Sequence, residues 1–106
     1  MNKIEKTQYF YSMNTLEGKM ALVSGSTQGI GLATAKKLAE MGASVVLLAR
    51  NREKLEATLN QLDVSKNQKH QYVVADFTQP TLLKDSISKF IQKGNEIDIL
   101  VNNSGG

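Results

Sequence analysis

Cysteine and tryptophan are absent from the 106-residue chain, and it has one histidine and one proline. Without a thiol there is no disulfide framework, thiolate metal site or cysteine nucleophile. The lone His70 has no companion at metal-ligand spacing and reads as a surface histidine, while Asp76 and Asp98 do not make a carboxylate dyad; no metal is expected. Long hydrophobic runs are missing as well. The opening Met1-Asn2-Lys3-Ile4-Glu5-Lys6 has no apolar signal core, and no later run approaches the ~20 apolar residues of a membrane span. A soluble, cytoplasmic protein that makes no membrane contact is therefore expected. Blocks of like charge are also lacking. The net charge of +3 comes from lysines and arginines interspersed with acids, which describes a solvated surface, so no nucleic-acid partner is expected.

What is present is enough for one small folded domain, with 41% hydrophobic residues. After an N-terminal arm over residues 1–17, two kinds of segment alternate. Short runs rich in Val, Ile and Leu occur at Met20–Val23, Ser44–Ala49, Gln71–Ala75 and Ile97–Asn102. They are nearly continuous in polarity, as in strands covered on both faces. Between them, apolar residues recur at helical spacing: Ile30, Ala33, Ala35, Leu38 and Met41, then Leu55, Leu59 and Leu62, then Leu83, Ile87, Phe90 and Ile91. Gly42 and Gly94 stand where the first and third helices should stop. Asn51 is a candidate N-cap, and Thr78 with Pro80 marks the start of the third helix. Leu16-Glu17-Gly18-Lys19 reads as a turn feeding the first strand, and the cluster Tyr9-Phe10-Tyr11 as part of a frayed terminus or, alternatively, as a patch that packs on the sheet's edge or a partner. Alternating strands and helices with right-handed crossovers predict an α/β fold, a partial doubly wound parallel sheet of order 3-2-1-4 across residues 18–106.

The chemistry concentrates at the carboxyl ends of the strands. Ser24-Gly25-Ser26-Thr27-Gln28-Gly29-Ile30-Gly31 joins the first strand to the first helix. Its glycine spacing differs from G-x-G-x-x-G, yet it lies at the first βα turn, where a helix N-terminus receives a pyrophosphate. At the end of the second strand, where an acid would bond a free ribose 2′-hydroxyl, the sequence reads Ala49-Arg50-Asn51-Arg52, with no carboxylate before Glu53. A small residue followed by a guanidinium favours a 2′-phosphate, and so NADP(H) over NAD(H). Asp76 is placed to accept from an adenine amino group, with Phe77 flanking the base, or else to organise the turn after the third strand. Asn102 and Asn103 can tie neighbouring strands and position cofactor near Ser104-Gly105.

SGSTQGIG, Asp76 and NNSG preceded by Ile97-Asp98-Ile99-Leu100-Val101 together resemble the N-terminal, Rossmann-type half of a classical short-chain dehydrogenase/reductase. The resemblance runs from about Leu16 to Gly105. It implies that Gly25, Gly29, Ile30 and Gly31, with Ser26 and Gln28 in the same turn, bind the cofactor pyrophosphate. Ser24 replaces the family's usual threonine and keeps the hydroxyl. Asp76 corresponds to the adenine-contacting aspartate, and Asn102-Asn103-Ser104-Gly105 to NNAG, with Ser104 in place of alanine. Ala49-Arg50 resembles the NADP(H)-preferring variant.

The resemblance also implies hydride transfer between a nicotinamide cofactor and a small ketone or alcohol, and a homo-oligomer for the complete protein. The family's catalytic pair is Tyr-x3-Lys. Here Tyr9, Tyr11 and Tyr72 are followed four residues on by Met13, Thr15 and Asp76, so no catalytic residue is assigned. The chain is expected to be a fragment, truncated after its fourth strand, with Ile99, Leu100 and Val101 near an unprotected edge. The alternative is a non-catalytic NADP(H) sensor or partner-docking module. An adenosylmethionine-dependent methyltransferase is disfavoured by NNSG and by Arg50, because that ligand has no phosphate.

Overall fold

The computed structural model describes residues 16–76 and 79–103, with Pro80, Leu82 and Leu83 described by backbone alone. Residues 1–15, including Tyr9-Phe10-Tyr11, lie outside the described residues, as does Thr78. Leu16 to Lys19 form the feeding turn, closed by the Lys19 N–H donating to the Leu16 carbonyl at 3.0 Å. Seven elements follow: β1 (Met20–Ser24), α1 (Gly29–Glu40), β2 (Ser44–Ala49), α2 (Arg52–Leu59), β3 (Gln71–Val74), α3 (Pro80–Gln92) and β4 (Ile99–Val101). The strands form one parallel sheet of order β3-β2-β1-β4, the expected order. Asn51 caps α2 by accepting from the Lys54 N–H at 3.0 Å, and Gly42 and Gly94 follow α1 and α3 with φ of 105° and 92°.

Successive residues of a strand point to opposite faces of the sheet, and this divides the core in two. Val23, Val45, Leu47 and Ala49 pack with Ala35 and Ala39 of α1, Leu55 of α2, and Leu62. Leu22, Val46 and Leu48 pack on the other face with Ala75 and with Phe90 of α3. The two central strands are sealed, which accounts for their unbroken apolar runs. The outer strands are not, and this corrects the expectation that all four are covered. β3 and β4 are half-buried at best, and Leu100 is 66% exposed.

Two further expectations change. The buried face of α1 is Gly31, Ala35 and Ala39; Ile30 and Ala33 lie on its open side. Ala35 belongs to the stripe read from the sequence, whereas Gly31 and Ala39, small residues that let the helix sit close to the sheet, do not register in apolar spacing. His70 is not a surface residue. Its ring is half-buried just ahead of β3, where Nδ1 accepts from the Val45 N–H at 2.9 Å and Nε2 lies 2.7 Å from the Asp63 carbonyl oxygen. An acceptor at Nδ1 and a donor at Nε2 define the neutral tautomer protonated on Nε2. β3 first pairs with β2 at Val46↔Gln71, so the imidazole extends the ladder by one residue. Nearby, the Ser65 side chain and N–H hold the Asp63 carboxyl below the usual aspartate range.

Candidate functional site

The sheet's carboxyl edge is assembled by hydrogen bonds between loops. Beyond β1, the Gly25 N–H donates to the Leu48 carbonyl at 2.9 Å, and the Ser26 hydroxyl accepts from the Leu48 N–H at 3.1 Å. The turn thereby satisfies both backbone groups of Leu48. Ser26 is fully buried in this role, backbone included, and it lines neither of the clefts around Arg50. Ser24 Oγ accepts from the Asn103 N–H at 2.7 Å and lies 3.3 Å from both the Val101 carbonyl and Asn102 Oδ1. One hydroxyl thus ties the loop after β4 to the glycine turn.

The glycines of that turn are needed for different reasons. A Cβ on Gly31 would run into the Gly25 carbonyl and the Asn103 amide, and one on Gly25 would meet the Asn103 backbone. Gly25 and Gly29 also hold φ of 61° and 57°, and open space surrounds Gly29. The first turn of α1 has no side-chain cap, since Gln28 supplies none, and no acid stands in it. Its N–H groups are free to meet an anion, which the helix dipole favours. A glycine cradle that admits backbone-close approach and ends on uncapped amides fits a pyrophosphate.

Two clefts share Arg50, and the smaller of them is lined in part by this turn. One, of about 130 Å³, is lined by Gly25, Thr27, Gln28, Ala49, Arg50, Asn51 and Lys54. The other, of about 400 Å³, lies toward α3 and includes Arg50, Asp76, Asp85, Ser86 and Lys89. Gly25, Gln28, Ala49 and Arg50 line one cleft together, and Asp76 shares the other with Arg50. Ile30 is 77% exposed at the start of α1. Asn102 stands apart, on an apolar hollow of about 120 Å³ with Leu22, Ile87 and Leu100. Phe77, Ser104 and Gly105 lie outside the described residues. Thr27, Asn51 and Lys54 were not singled out as site residues from the sequence. Lys54 reaches the cleft because Asn51 starts α2 there, and the capping spacing Asn51-x-x-Lys54 was the available signal. Among the described residues no group of three His, Asp or Glu side chains could hold a metal.

A short chain dehydrogenase family model matches residues 19–106. The chain is 40% identical over 88 residues to hydroxysteroid dehydrogenase-like protein 1 from Gallus gallus, covering 83% of this chain and 26% of that protein. Across the first curated relatives it spans between 26% and 39% of their length. L-sorbose reductase from Gluconobacter frateurii, solved with NADPH and L-sorbose, superposes with a TM-score of 0.77 at 33% identity, over 90% of this chain and 36% of that one. An NAD+-bound xylitol dehydrogenase gives 0.76 at 35% identity, over 86% and 35%.

Proposed function

The chain belongs to the short-chain dehydrogenase family, and on that premise we propose that it is the cofactor-binding part of an NADP(H)-dependent oxidoreductase of the carbonyl reductase or alcohol dehydrogenase type. When bound, the nicotinamide supplies or accepts a hydride. This chain's residues hold the other parts of the molecule. Gly25, Gly29, Ile30 and Gly31, with Gln28, receive the pyrophosphate at the start of α1, and the buried Ser26 holds that turn in shape from within. Asp76 and Phe77 take the adenine, while Asn102, Ser104 and Gly105 border the cofactor beyond β4. The substrate is a small ketone or alcohol, and the complete protein is a cytoplasmic homo-oligomer.

The observation that carries the NADP(H) preference is Arg50. It directly follows the buried Ala49 at the end of β2, lines both clefts, and takes the position where an acid would bond a 2′-hydroxyl. The two solved neighbours were determined with different nicotinamide cofactors, so the preference rests on this chain's own residues. Fluorescence titration of the chain should give tighter binding of NADPH than of NADH. A hydrogen bond to a charged group contributes about 1.5–3 kcal/mol. Arg50→Ala should therefore weaken NADPH by about tenfold to a hundredfold and leave NADH little changed. Equal losses for the two cofactors would overturn the assignment.

A further inference from the structure

The smaller cleft has a charge pattern that Arg50 alone does not explain. Its lining holds two cations, Arg50 and Lys54, and no carboxylate. Among the described residues neither side chain makes an ion pair or hydrogen bond. Arg52, two residues from each, is by contrast engaged, with Nη1 3.5 Å from the Tyr72 hydroxyl and its guanidinium 6.0 Å above the Tyr72 ring. Two unpaired like charges on one small concavity repel each other unless an anion sits between them.

Lys54 is held at this place by the fold. Its backbone N–H is fixed by the Asn51 side chain at 3.0 Å, which sets the first turn of α2 beside the cleft. Leu55, the next residue, is fully buried in the core. The helix therefore cannot turn Lys54 away without pulling Leu55 out of its packing. Thr27, half-buried, adds a hydroxyl donor to the same lining.

We infer that Lys54, which lines the small cleft together with Arg50, is a second cationic contact for the ribose 2′-phosphate and adds to the discrimination of NADP(H) from NAD(H). The inference rests on the nucleotide reading of the site. Arg50 supplies the directed fork, whereas Lys54 acts as a point charge on a flexible stem.

Adenosine 2′,5′-bisphosphate and adenosine 5′-monophosphate isolate the 2′-phosphate, because they differ only in that group. Isothermal titration of the chain and of Lys54→Met, which keeps the aliphatic stem, should show a two- to fivefold loss for the bisphosphate, in line with an exposed charge contact. Affinity for the monophosphate should be unchanged, Lys54→Arg should restore the bisphosphate, and the difference should vanish near 1 M salt. Unchanged bisphosphate binding in Lys54→Met, beside a clear loss in Arg50→Ala, would overturn the role of Lys54 and leave the NADP(H) reading standing. Equal binding of the two nucleotides by the unaltered chain, or of neither, would overturn both.

Discussion

Gly31 and Gly29 stand two residues apart in the same turn, but opposite constraints act on them. At Gly31 the backbone conformation is ordinary and space is lacking, because an added methyl would strike the Gly25 carbonyl and the Asn103 side chain. At Gly29 space is open, and the constraint is the φ of 57°. Gly31→Ala must move backbone, with an overpacking cost of about 1–3 kcal/mol. It should also displace the loop after β4, since Asn103 is tied both to Ser24 and to Gly25. Gly29→Ala strains one residue locally, at a cost of about 1 kcal/mol. Thermal melts and NADPH titration should therefore show Gly31→Ala losing both stability and binding, and Gly29→Ala losing less of each. The reverse order would mean that the turn tolerates a shift of its backbone. The glycine turn and Arg50 stand out in the sequence because their residue types are unusual where they occur. The sequence did not disclose the inward side chain of Ser26 or the placement of Lys54, since a buried hydroxyl and a helix's rotation depend on the neighbouring strand.

The elements were legible to the extent that their patterns are local. Continuous apolar runs mark β1 and β2, and glycine stops mark the ends of α1 and α3, so the strand order followed from topology rules alone. The stripe on α1 was read only in part: Ala35 and Leu38 do pack on the core, but Gly31 and Ala39, which have little hydrophobic signature, were missed and the exposed Ile30 and Ala33 were included. His70 was misread because its partner Val45 is 25 residues away. The buried Val45 N–H faces the sheet edge just ahead of β3, and the imidazole is its acceptor. His70→Ala leaves that donor unsatisfied and should destabilise the chain by about 1–3 kcal/mol. In urea unfolding the midpoint should fall at constant slope. A midpoint within error of the unaltered chain would mean that water replaces the ring.

Across the whole molecule the sheet is closed more completely on one face than on the other. One face of the central strands is covered by both α1 and α2, whereas the opposite face has α3 alone among the described helices. The uncovered part lies over β4, where Leu100 pairs in register with the buried Leu22 yet is itself 66% exposed and borders an apolar hollow with Ile87. β4 is also a sheet edge, so apolar surface and unpaired strand groups coincide there. That combination favours pairing with another chain. No described helix is long and apolar enough to cross a membrane. The 106-residue chain should therefore self-associate in light scattering as its concentration rises. Leu100→Lys places a charge on the edge without removing a buried contact, and it should reduce the association while changing the thermal midpoint little. If the unaltered chain stays monomeric over the same range, the exposed edge is not sticky enough to drive assembly. If Leu100→Lys instead lowers the melt by several degrees, Leu100 contributes to the core of the sheet despite its exposure.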